Sequence, residues 1–122
     1  MTTETRSTSL DGIWTGEIFG PYGWESSGTY LLESNRIAGG NDRHYSIGKF
    51  EISDASYTAH VVVHYYGPPR PIFGEKREQF EIEVKGKVRE DVIDAEVLRP
   101  DKPNFSVQYR MTRRMNLPTI KN

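Results

Sequence analysis

The chain contains no cysteine, which excludes disulfides, thiolate nucleophiles and cysteine-ligated metal centres. A cytoplasmic address is the expectation. Long apolar runs are also lacking, since none approaches the roughly 20 residues needed to cross a bilayer. No single sign of charge dominates: 16 basic residues face 17 acidic ones, for a formal net charge of -1. That balance argues against a nucleic-acid footprint, and neither nucleic acid nor membrane is expected as a partner. The one basic stretch, Arg110-Met111-Thr112-Arg113-Arg114, reads as a solvated strand face. There is no Gly-x-Ser-x-Gly elbow, no Gly-x-Gly-x-x-Gly and no phosphate-cradling loop ending in Lys-Ser/Thr, so the standard marks of catalysis and cofactor binding are missing. No cofactor is expected, and the chain is read as non-enzymatic.

Helical periodicity is scarce, whereas period-two alternation is abundant. In Phe80-Glu81-Ile82-Glu83-Val84-Lys85-Gly86-Lys87-Val88-Arg89 the apolar residues occupy one parity and charges the other. A strand with one dry and one wet face requires this pattern. The same logic predicts a first strand over 11–19 with Trp14 and Ile18 inward, and a second from about Ser27 to Glu33. Ser34-Asn35 turns the chain into Arg36-Ile37-Ala38, and Gly39-Gly40-Asn41-Asp42 reads as a tight bend. Further strands are predicted over 43–52, 57–66 (Val61, Val63 and Tyr65 inward), 80–89, 92–98 and 104–111 (Phe105, Val107, Tyr109 and Met111 inward).

About eight strands joined by short connections predict an all-β, antiparallel up-and-down barrel, with a sandwich as the rival. Residues 1–9 read as a disordered N-terminal tail, 10–116 as the single domain and 117–122 as a C-terminal tail. In Gly67-Pro68-Pro69-Arg70-Pro71-Ile72-Phe73-Gly74-Glu75 the prolines forbid helix. Its Ile72-Phe73 pair is too apolar to float in water, so this loop is expected to cover one end of the core.

His44, His60 and His64 are the only histidines. His60 and His64 share a strand face, but four residues separate them by roughly 13 Å, too far for one metal ion, and no metal is expected. Alternating carboxylates such as Glu81 and Glu83 read as a wet face. The inward parity supplies candidate cavity-lining residues: Trp14, Ile18, Val61, Val63, Tyr65, Phe80, Ile82, Val84, Phe105, Val107 and Tyr109. A barrel too wide for its own side chains would hold a small apolar ligand there. Exposed edge strands would invite pairing into a homodimer, through the 57–66 strand or the proline-rich loop.

Three segments in order, Asp11-Gly12-Ile13-Trp14, Gly39-Gly40-Asn41-Asp42-Arg43-His44-Tyr45-Ser46-Ile47-Gly48 and Ile72-Phe73-Gly74-Glu75, resemble the bacterial GrlR family of negative regulators of type III secretion gene expression. The likeness runs from about Leu10 to Pro118. It implies a calycin-like eight-stranded barrel with an apolar cavity, a loop plugging one end, and a homodimer. It also implies sequestration of a transcriptional activator through a surface run of alternating acidic residues. That run falls at Glu51-Ile52-Ser53-Asp54-Ala55-Ser56, where only Glu51 and Asp54 are acidic; these two are the candidate partner-binding residues.

Overall fold

The computed structural model describes residues 9–69, 73 and 75–117. Eight strands follow one another in the chain: β1 (Gly12–Gly20), β2 (Gly23–Glu33), β3 (Arg36–Gly40), β4 (His44–Ser53), β5 (Ser56–Tyr65), β6 (Gln79–Arg89), β7 (Val92–Arg99) and β8 (Lys102–Met115). Each pairs antiparallel with the next and β8 returns to β1, which closes the barrel and excludes the sandwich. Closure also overturns the edge-strand argument for dimerisation, because β5 is hydrogen-bonded to β4 on one side and β6 on the other.

Three elements differ in extent from the sequence expectation, one of them β8, which runs over Lys102–Met115 where 104–111 is predicted. β2 starts at Gly23, so that Pro21-Tyr22 alone turn the first hairpin. Gly39 and Gly40 lie within β3, paired on both flanks. The bend is made instead by Asn41, whose Oδ1 accepts from the Arg43 and His44 backbone amides at 2.8 and 3.1 Å. A side chain that caps the turn in this way does not need the glycines to form it.

The connections 34–35, 54–55 and 90–91 are two-residue hairpins. Ser34 and Asn35 both take positive φ (53° and 66°), the pattern of a type I′ turn, whereas only the first central residue does so at Asp54 (56°) and Glu90 (53°). A left-handed backbone costs a side-chain-bearing residue free energy that glycine does not lose. Glu90→Gly is therefore expected to raise stability by about 0.5–1 kcal/mol, read as a higher urea midpoint at unchanged m-value.

Inside, alternate residues of every strand form one core that includes Trp14, Ile18, Leu32, Phe50, Tyr57, Val63, Ile93, Val97 and Met111. Both mouths are stopped by residues from outside the strands. Leu10 closes one, its carbonyl accepting the Trp14 indole N–H at 2.9 Å. Phe73 closes the other, packed on His44 and Phe80 at ring separations of 5.6 and 6.1 Å. Of the predicted plug pair, Phe73 thus sits in this mouth, and Ile72 lies outside the described residues.

Near the middle, the β1–β2 register slips between Gly16 and Glu17 and leaves Ser27 unpaired beside Gly28, a β-bulge that turns two consecutive residues inward. Gly28 has φ 142°. A Cβ on Gly16 would strike the Tyr109 hydroxyl at 2.4 Å and Ser27 Oγ at 2.6 Å. The bulge thus makes room in the core for a polar knot, in which Ser27 Oγ reaches the hydroxyls of Tyr109 (3.2 Å) and Tyr30 (3.3 Å). Burial pushes both phenols above their ordinary pKa, so they remain neutral hydrogen-bonding groups.

Candidate functional site

The predicted cavity residues all face the core, and the void that the described residues border is small. Val61, Ile82, Val84 and Tyr109 border an internal void of about 20 Å³, together with Tyr30, Ile37, Ser46, Tyr57, Ala59, Met111 and the stopper Phe73. Trp14, Ile18, Val63, Tyr65 and Phe80 are buried elsewhere in the core, while Phe105 and Val107 are only half-buried against it. A void of that size holds about one water molecule.

The outer surface is more informative. In an antiparallel ladder, directly opposed residues lie on the same face. Following the register from β8 to β5 therefore traces one outward row: Met115 opposite Ile13, then Leu31, Ala38, Ile47 and Val62. Six apolar residues on six strands thus form an unbroken band, and Ile47 at its centre is 56% exposed. Polar residues flank it. On one side Glu33, Arg36, Lys49, His60 and Glu83 occupy successive strands. On the other, the Tyr45 ring stacks on His64 at 5.0 Å and 8° and on Tyr66 at 6.3 Å. Tyr66 is itself anchored by its hydroxyl, which donates to the Asn41 carbonyl at 2.6 Å.

Glu51 is exposed and has the same parity on β4 as Tyr45, Ile47 and Lys49, so it extends this face. Asp54 is exposed in the turn that follows. The two candidate partner-binding acids are therefore at the surface, but beyond the charged Lys49 row that flanks the apolar band. Sequence reasoning missed the band itself, because Leu31, Ile47 and Val62 come from separate strands and only register aligns them.

The histidines fall into two environments. His60 and His64 point outward and meet carboxylates, His60 with Glu83 of β6 at 3.4 Å and His64 with Glu78, just before β6, at 3.7 Å. His44 points inward and is 1% exposed, with burial holding its pKa below the usual imidazole value. Among the described residues no three His, Asp or Glu side chains converge to hold a metal ion, and no helix is long and apolar enough to cross a membrane.

A further cluster also escaped the sequence reading. Arg99 has the inward parity of Ile93 and Val97, and its side chain is fully buried beneath the Phe73 stopper. Its Nη1 donates to the Phe73 carbonyl at 3.3 Å. Its Nη2 donates to Glu75 Oε1 at 2.8 Å and to Asp101 Oδ2 at 3.0 Å, and the guanidinium lies 4.8 Å from the Phe80 ring centroid. Arg77 grips the same carboxylates, at 3.0 Å to Glu75 and 2.8 Å to Asp101. This ion network fastens the loop to the barrel end.

No protein-family model matches the chain, and no curated protein matches it.

Proposed function

We propose that this protein is a non-enzymatic cytoplasmic binding protein that acts by protein contact, in the manner of the GrlR-type regulators it resembles, using the outer face of β2 to β5. The observation that carries this reading is the continuous apolar band through Leu31, Ala38, Ile47 and Val62. Apolar surface left contiguous at the expense of solubility marks a contact site. Its flanks supply what a contact site needs: rigid aromatic anchors in Tyr45 and Tyr66, and a charged rim. The face also suits a second copy of the chain, and a homodimer through it would use the same residues. As for a carrier, the internal void bordered by the described residues measures about 20 Å³.

Ile47→Asp tests the reading. Ile47 is more than half exposed, so the substitution should change stability by no more than about 0.5 kcal/mol. At the centre of a contact, however, an unpaired charge should weaken binding by about thirtyfold, the equivalent of a hot-spot loss near 2 kcal/mol. Immobilised wild-type protein should retain a stoichiometric protein from an extract of its native host, and Ile47→Asp should not. A partner retained equally by both, or none beyond the homodimer, would refute sequestration through this face.

A further inference from the structure

His44 Nε2 is buried and has no hydrogen-bond partner among the described residues. Such a group is costly, and a fold that keeps one has a use for it or a partner that comes and goes. The imidazole sits at the stoppered mouth between two aromatic rings, edge-on to Phe73 at 86° and to Tyr65 at 79°. Burial depresses its pKa, so at neutral pH it is an uncharged imidazole, whose Nε2 either accepts or donates one hydrogen bond according to tautomer. Among the described residues, Phe73 is the one ring neighbour here that belongs to no strand, and it is 2% exposed. Immediately beneath it lies the 20 Å³ void, lined by apolar residues together with Ser46 and the Tyr30 and Tyr109 rings. The ring of Phe73 adjoins both this void and His44, whose Nε2 is left without a partner among the described residues.

We propose that the volume of the Phe73 ring and the adjoining void is a binding site for a small aromatic molecule bearing a hydroxyl group, a phenol in chemical class, and that Phe73 is its built-in competitor. The ring of the ligand takes the place of the Phe73 ring against His44 and Phe80, on which that ring packs at 5.6 and 6.1 Å. Its hydroxyl pairs with His44 Nε2. A phenolic hydroxyl both donates and accepts, so it satisfies either imidazole tautomer; a plain hydrocarbon satisfies neither. The site goes beyond protein contact at the outer face and is independent of it, because none of its residues belongs to the apolar band.

The competition makes a directional forecast. Apparent affinity is the intrinsic affinity reduced by the fraction of molecules in which Phe73 has left the volume. Shortening Phe73 removes the competitor. Backbone amide NMR titrations with phenol and with toluene, which has the same ring without the hydroxyl, provide the test and report folding in the same spectra. Wild-type protein should bind phenol weakly but saturably, with shifts centred on His44, Tyr65 and Phe80. Phe73→Ala should bind phenol at least about tenfold more tightly, and Phe73→Leu, which empties less of the volume and serves if the alanine variant does not fold, should fall between them. In Phe73→Ala, phenol should be preferred to toluene by about tenfold, the effect of satisfying a buried polar atom. Adding His44→Phe should abolish or invert that preference. Absence of saturable shifts in the wild type, equal affinity in the Phe73 variants and the wild type, or a phenol preference that survives His44→Phe would each overturn the proposal.

Discussion

Trp14→Ala is expected to cost about 3–5 kcal/mol, a large share of the 5–15 kcal/mol that holds a typical domain folded. Trp14 is wholly buried and one of the largest side chains in the core. It has three partners that an alanine abandons together. The indole N–H donates to the Leu10 carbonyl at 2.9 Å, the Arg113 guanidinium lies 4.9 Å from the ring centroid, and the ring fills the mouth opposite the one closed by Phe73. Arg113 is in turn hydrogen-bonded to the Ser9 and Asp11 carbonyls, so loss of the ring also loosens the entry of the chain into β1. Trp14→Phe separates these contributions: it keeps most of the packing and removes the N–H, and should cost only about 1–2 kcal/mol. Urea denaturation gives both values. Fluorescence provides an internal check, because Trp14 and Trp24 are the only tryptophans; each variant should emit from the half-exposed Trp24 alone, at longer wavelength than wild type. A loss below about 1 kcal/mol in Trp14→Ala would mean that this mouth is not closed by the Leu10–Trp14–Arg113 arrangement.

The barrel was legible because its strands bury one face and wet the other, and that physical fact is written directly into the alternation. Phe80, Ile82 and Val84 on β6, and Tyr57, Ala59, Val61, Val63 and Tyr65 on β5, are buried at every second position. The order of strands followed from the short connections between them. What alternation could not convey is the exception in which parity and polarity disagree. Arg99 and His44 sit at inward parity, yet a charged or polar side chain is assigned outward by default because its burial demands partners. Those partners, Glu75 and the Phe73 carbonyl for Arg99, come from a loop that no periodicity places. The outer apolar band was hidden for the converse reason. Ile47 and Val62 each look like one apolar residue among polar neighbours, and only the cross-strand register joins them to Leu31 and Ala38.

The two proposed binding surfaces, outer band and inner site, therefore differ in how a sequence could disclose them. An outer band depends on register, which is set in part by the hairpin turns at 34–35 and 54–55; a slip of one residue would turn Ile47 inward and Ser46 outward. The proposed inner site depends on Phe73, which belongs to no strand, so a substitution there alters the site without touching the barrel, and the band changes only if a strand face does.

Removing Arg99 should have the second large effect, with a pH signature that identifies its source. Arg99→Leu strips the buried guanidinium from Phe73, Glu75 and Asp101, and breaking a buried ionic network from one side costs roughly 3 kcal/mol. The Glu75 carboxyl is held far below the usual carboxylate range by hydrogen bonds from Arg77 and Arg99. A carboxylate whose pKa is lower folded than unfolded contributes stability above its unfolded value, about 4.3. That contribution is lost progressively as pH falls below that value towards the depressed one, because the unfolded chain then takes up the proton first. Wild-type stability should thus decline below about pH 4.3, Glu75→Gln should remove that part of the decline, and Arg99→Leu should shrink it. His44 has the same sign in a different window. Its lowered pKa makes stability fall as pH drops below about 6.5, the unfolded imidazole value, and His44→Phe should flatten that upper step while leaving the lower one intact. Urea midpoints measured from pH 7 down to pH 3 would resolve the two steps. An Arg99→Leu variant that retains the full wild-type slope below pH 4.3 would show that Arg77 alone holds Glu75, and that the Phe73 stopper is fastened without the buried arginine.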